Sequence, residues 1–223
     1  MNVAVIQPSY FPWRGYFSFM KLVDCFVFLD DVQYTNRDWR NRNKFDIEGK
    51  PEWLTVPVAK GSANLEIRDV SIDESTDWRR LHLKGFQRNY AKAPFFEDAY
   101  NLFNSISTHS DSSISNLTCY TTILVSEYLG IECDFLRSST LDVTGTSSFR
   151  LLGICTKIGA TNYLSGPSAK DYLSIGMFED SGIGVQFQEY AYGPYPRNER
   201  PWIDNLSVLD LIAFNGKKSI DFI

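Results

Sequence analysis

The chain has little of what metal, redox and nucleic-acid chemistry require. Its two histidines, His82 and His109, stand in different segments, so no two-histidine metal site is available and no metal is expected. Cys25, Cys119, Cys133 and Cys155 never form a C-x-x-C pair, which excludes a zinc ribbon and a thioredoxin-type motif. Lys and Arg total 22 against 27 Asp and Glu; a net charge of -5 argues against a protein whose main task is gripping nucleic acid through phosphates. On the same ground a tRNA-borne donor is disfavoured as a partner. No stretch approaches the roughly 18 consecutive apolar residues of a membrane span. The N-terminus lacks the charged region and cleavage site of a secretory signal, so a cytoplasmic setting is expected. Also absent are G-x-S-x-G, a Walker loop and G-x-G-x-x-G, leaving a serine hydrolase, a P-loop NTPase and a standard dinucleotide fold without support.

What is present is an apolar fraction of 43% in 223 residues, enough for one domain with its own core. The run VAVI reads as a buried strand, residues 16 to 23 as a short helix on the spacing of Tyr16, Phe19, Met20 and Val23, and CFVFL as a second buried strand. Strand, turn, helix and strand in about 30 residues make a βαβ unit. Further along, WLTVPV and Ile67 to Ile72 read as strands, residues 78 to 90 as a helix capped from Thr76 and Asp77, and 94 to 129 as two helices. A strand at IECDFLRSS, a helix over 147 to 158, a strand at YLSG, a helix start at Ser168 to Leu173, a strand at IGVQFQEY and a helix over 206 to 214 complete the reading. The fold class is α/β: a Rossmann-like, mostly parallel sheet with helices on both faces, plus a small antiparallel insertion (33–75) and a mostly helical segment (76–130), all within a single domain, 1–223.

Three stretches carry polar chemistry. The first is the turn QPSYFPWRGYF. Gln7, Tyr10, Trp13, Arg14, Gly15 and Tyr16 lie beyond the carboxyl end of the first strand, where open parallel sheets bind ligands. Gly15 is expected to let a ligand approach the backbone, and Arg14 to supply a charge-assisted hydrogen bond. The second is DDVQYTNRDWRNRNKF, where Arg40, Asn41, Arg42 and Asn43 bring fork donors and amides suited to phosphate, carboxylate or sugar hydroxyls. Asp30 and Asp31 end the second strand; either could act as general base or bind Mg²⁺, with Asp31 the candidate for catalysis and Asp30 for substrate binding, and pairing to the downstream arginines is the rival. His82 is a candidate proton carrier, with a structural histidine as the rival, and His109 reads as exposed. The third is YLSGPSAKDY, with Ser165, Gly166, Ser168, Lys170 and Tyr172 around a strand-to-helix turn suited to an anion. The late segment EYAYGPYPRNERPW, which includes Tyr195, repeats the mixture of rings and arginines and is expected to cover the site.

Taken in order, QPSYFPWRGYF, DDVQY, WRNRN, WLTVPV, YLSGPSAKDYL and LSVLDLIAFNG resemble the WbqC-like family over essentially the whole chain. The resemblance implies a setting in bacterial O-antigen and related surface-polysaccharide synthesis. It also implies an amide-forming reaction, glycine transfer among the candidates; the polar stretches themselves suggest a nucleotide-linked amino sugar or other phosphorylated small molecule as acceptor, with a noncatalytic nucleotide- or sugar-phosphate-binding regulatory module as the rival reading. A second likeness is to the nucleotidyltransferase superfamily, where ATP is the cofactor. Trp13 to Tyr16 stand in the place of H-x-G-H there, and both histidines are missing, so Arg14 and Lys170 would have to supply the charge stabilisation.

Overall fold

In the computed structural model, which describes residues 1–223, the N-terminal βαβ unit forms as β1 (Asn2–Ile6), α1 (Arg14–Leu22) and β2 (Cys25–Phe28). A hairpin follows, β3 (Arg42–Ile47) and β4 (Lys50–Thr55). Then come α2 (Trp78–Tyr90), α3 (Phe96–Thr108) and α4 (Ile114–Leu129). The chain returns to the sheet with β5 (Asp134–Arg137), α5 (Ser147–Lys157) and β6 (Asn162–Ser165). It ends with α6 (Ile175–Asp180), β7 (Gly184–Phe187) and α7 (Val208–Asn215).

Five strands form one wholly parallel sheet in the order β5-β2-β1-β6-β7. Period-two alternation assigns its side chains to two cores. Ala4, Phe26, Phe28 and Leu164 enter a core of 35 buried residues shared with α1, α2, α3, α4 and α7; Val3, Val5, Cys25, Val27 and Tyr163 enter one of 12 shared with α5 and α6. The continuous apolar runs of β1 and β2 follow from this double coverage. Each fully buried Phe in the larger core contributes roughly 1.5–3 kcal/mol by leaving water.

The antiparallel insertion forms as the β3–β4 hairpin, with element bounds that differ from the sequence reading. Arg42–Ile47 is a strand, with Phe45 and Asp46 buried against the helical segment and Asn43 against the turn after β1, while Lys44 is only half-covered. Glu48 and Gly49, at φ 52° and 82°, make the tight hairpin turn; β4 starts at Lys50, earlier than WLTVPV, and ends before Pro57. Ile67 to Ile72 is not a strand. Ile67, Val70 and Ile72 are the buried positions, a spacing that two-fold alternation cannot bury on one face, and Ile67–Asp69 forms a 3-10 turn. Asp77 precedes α2 without a side-chain cap, its carboxylate being engaged with Arg80. The expected helix at Ser168 is a 3-10 turn, Pro167–Asp171, with Gly166 rather than a serine at its cap position.

Candidate functional site

The strand order changes direction between β1 and β6: from β1 the chain builds outward through β2 and β5, then returns to place β6 and β7 on the other side. Loops leaving the carboxyl ends of two such strands diverge and open a crevice between them. Here that crevice is a cavity of about 410 Å³. Its floor comes from the end of β1 (Val5, Ile6, Gln7) and the end of β6 (Ser165, Gly166, Ser168). Its walls are rings: Trp13, Tyr16, Phe19, Trp39, Tyr163, Tyr172 and Tyr190.

The turn between β1 and α1 is held open by contacts from distant segments. Phe11 takes φ 38°, and its carbonyl accepts from Asn43 Nδ2 at 2.6 Å and from Ser207 Oγ at 2.8 Å; Tyr10 N donates to the Trp39 carbonyl at 3.0 Å. Tyr16 donates its hydroxyl to the Gln7 carbonyl at 2.9 Å, closing the turn on itself. Gly15 serves the indole rather than the ligand: a Cβ there would stand 2.3 Å from Trp13 Cζ2. The Trp13 ring in turn packs against Tyr190 and Tyr192, at 5.1 and 5.9 Å between centroids.

One cation faces the cavity. Arg40 lines it, contacts Asp38 at 3.4 Å, and has a buried Nε without a partner; burial lowers its pKa from the ordinary value. Gln7, Ser9, Asn43, Ser165 and Ser168 supply the remaining polar edges. Asn43 is already engaged, donating to Tyr10 and Phe11 carbonyls and accepting from Lys44 N, so it shapes the turn more than it offers contacts. No Asp, Glu, His, Cys or Lys lines the cavity. Its lining offers flat apolar rings and one guanidinium, and it brings no carboxylate or imidazole to take a proton.

Of the residues expected from the sequence, Gln7, Trp13, Tyr16, Arg40, Asn43, Ser165, Gly166, Ser168 and Tyr172 do meet around this cavity. The others lie elsewhere. Tyr10 is fully buried, with its hydroxyl 3.0 Å from His82 Nδ1. His82 sits among Trp78, Tyr10 and Phe103, and burial pushes its pKa down to about 4, so it is a neutral core histidine. Arg14 donates to the carbonyls of Phe222 at 3.2 Å and Gly193 at 2.7 Å and lies over the rings of Tyr192, Tyr195 and Trp202. Asp30 is wholly buried under Ser115, Ser138 and Ser139, while Asp31 pairs with Arg150 in a neighbouring cleft. Asn41 and Arg42 open into another concavity, and Lys170 extends over Phe187. His109 is half-covered, stacked on Tyr120 at 4.9 Å.

The late aromatic segment divides. Tyr190 reaches the cavity, as a covering loop should, whereas the Tyr195 hydroxyl donates to Asp210 at 2.6 Å deep in the core. There Arg197 bridges Asp210 and Asp46, at 2.8 and 2.6 Å, and Arg200 adds a contact to Asp46 at 3.0 Å. Burial works against the Arg197 charge, and its bonds to the two carboxylates outweigh burial and hold its pKa above the ordinary value. This network ties the C-terminal segment to the β3–β4 hairpin, so the covering loop is anchored at its far end. Tyr163, Leu151 and Phe19 also line the cavity and were not named as site residues, since nothing in the sequence distinguishes them from core residues, and so does Trp39, which lies inside the second polar stretch.

The chain matches the WbqC-like protein family over residues 7–222. It is 34% identical over 227 residues to an uncharacterized protein of Mycobacterium tuberculosis, the alignment covering 100% of this chain and 97% of that one. No solved structure matches it. No helix is long and apolar enough to cross a membrane. On the extent of these two matches, the chain belongs to the WbqC-like protein family.

Proposed function

We propose that the chain is a transferase of bacterial surface-polysaccharide (O-antigen) synthesis. In this reading it binds a nucleotide-linked amino sugar in the β1/β6 crevice and joins an acyl or aminoacyl group, such as glycine, to the sugar's amine. The observation that carries the reading is the combination, at the switch point of a parallel sheet, of aromatic walls with one guanidinium whose Nε is unpartnered. Trp13 and Tyr190 flank a base or sugar ring, Arg40 and the Ser168 hydroxyl take the phosphate, and the amides of Gln7 and Gly166 face sugar hydroxyls. The polysaccharide setting is what the resemblance to the WbqC-like family implies, and the chain's membership of that family is the part of it that is shown. In the reaction the amine nitrogen attacks the acyl carbonyl of an activated donor, the N–C bond forms as the bond to the leaving group breaks, and the amine proton leaves with that group or to solvent.

A second reading, a noncatalytic sugar-nucleotide sensor, is favoured by the lack of any carboxylate or imidazole on the cavity wall. Mass spectrometry separates the two. Nucleotide amino sugar is incubated with ATP and glycine, or with glycyl-tRNA, in the presence of parent or Arg40→Gln protein. Gain of an acyl mass with the parent alone supports the transferase. Tight binding with no mass gain under any donor leaves the sensor, and no binding at all removes both.

A further inference from the structure

A second concavity lies between the loop after β2 and the open end of the β3–β4 hairpin, lined among others by Tyr34, Arg37, Asn41 and Arg42. Several hydrogen-bonding atoms there are left over. Tyr34 is 1% exposed, yet its hydroxyl has no partner; the buried Nε of Arg42 has none either. Asn41 donates its amide nitrogen to the Val56 carbonyl at 2.7 Å, but its Oδ1 is buried and unpaired. A buried polar atom without a partner costs about 1–3 kcal/mol, and three around one opening are hard to explain as a structural device.

The charges are left over as well. Arg42 lies over the Trp53 ring at 4.1 Å and donates to the Arg37 carbonyl, so its guanidinium is held in place without a carboxylate. Arg37 makes no ion pair. The neighbouring carboxylate, Asp38, is occupied by Thr35 Oγ1 at 2.8 Å, Trp39 N at 2.7 Å and Arg40 at 3.4 Å. Burial pushes the Tyr34 hydroxyl up to about 12, so at neutral pH it is protonated, as an ordinary tyrosine is, and can donate.

We propose that this concavity is a second anion site, taking a small oxyanion, phosphate or carboxylate, with a hydrogen-bond donor of its own beside it. Arg37, Arg42 and the Tyr34 hydroxyl donate to the oxyanion, and Asn41 Oδ1 accepts from the ligand's hydroxyl or ammonium group. The site is separate from the β1/β6 crevice and stands whether or not that crevice takes a nucleotide sugar.

The test uses the full chain, labelled with 15N, titrated with inorganic phosphate, acetate and glycolate. The Arg42 Nε–H resonance, assigned by its loss in Arg42→Lys, is expected to shift with saturation. Arg37→Gln, at an exposed position, and Tyr34→Phe are each expected to weaken that saturation about tenfold, as loss of a charge-assisted bond does. Phosphate tighter than glycolate identifies a phosphoryl ligand; glycolate tighter than both phosphate and acetate identifies a carboxylate beside a hydroxyl. Arg40→Gln is expected to leave the phosphate titration unchanged, so failure of the crevice reading and failure of this one are distinguishable. Linear, unsaturated drift with all three anions, or parent-like saturation in both Arg37→Gln and Tyr34→Phe, overturns the proposal.

Discussion

The Trp13 ring lies across Gly15 so closely that a single methyl group at residue 15 would overlap it, 2.3 Å from Cζ2. That contact fixes one wall of the crevice. Because Trp13 also packs on Tyr190, a shift of the indole reaches the covering loop.

Gly15→Ala therefore is expected to displace the indole. Overpacking of this kind costs about 1–3 kcal/mol, which the buried helix α1 can bear. Affinity for a nucleotide amino sugar, measured by calorimetry, is expected to fall about tenfold or more, equivalent to ~1.4 kcal/mol. Parent-like affinity in a folded Gly15→Ala protein would show that Trp13 is no part of the binding wall.

Removal of Arg197 leaves the fully buried Asp210 carboxylate without a counter-charge and the equally buried Asp46 with Arg200 alone. Breaking a buried ion pair on one side costs about 3–5 kcal/mol. Urea unfolding of Arg197→Met is expected to show a loss of that size, far above the ~0.5 kcal/mol of an ordinary surface change. A loss below about 1 kcal/mol would mean that the network does not anchor the covering loop.

His82 makes stability depend on pH. Its pKa is lowered from 6.5 to about 4 in the folded chain, chiefly by burial. Between these values the unfolded chain binds more protons, so stability is highest above pH 6.5 and is lost as pH falls toward 4, by about 3 kcal/mol in all. His82→Gln keeps a hydrogen-bonding partner for the Tyr10 hydroxyl and removes the titration. Its unfolding midpoint is expected to vary less with pH over this window than the parent's; an identical dependence would assign the acid sensitivity to other groups.

Asp31 provides a control on the location of the site. It pairs with Arg150 and does not line the crevice. Asp31→Asn is expected to reduce thermal stability while leaving nucleotide-sugar affinity unchanged. A large loss of turnover with unchanged affinity would instead restore Asp31 as a general base.

The α/β frame was legible because β1 and β2 are continuous apolar runs and α1 carries helical spacing; such patterns report burial directly. That QPSYFPWRGYF and YLSGPSAKDY each follow a strand was legible; that they line one cavity, with Arg42 left in another, comes from the parallel pairing of β1 with β6. The fate of individual arginines was not legible. Arg14 and Arg40 each follow a tryptophan, yet Arg14 is engaged by Gly193 and Phe222 carbonyls while Arg40 opens into the cavity. What separates them is the return of the last 30 or so residues over α1, a long-range contact that no local pattern encodes. Similarly, Asp30 and Asp31 are adjacent in sequence, and only the position of Ser115, Ser138 and Ser139 decides that one is sealed in and the other meets Arg150.

The most direct test of the central claim is a crystal structure of the chain with a nucleotide-linked amino sugar. The account predicts the ligand between β1 and β6, its ring or base against Trp13 and Tyr190 and its phosphate at Arg40 and Ser168. A ligand seated anywhere else, or an empty crevice at saturating ligand in a crystal whose lattice leaves it open, would contradict it.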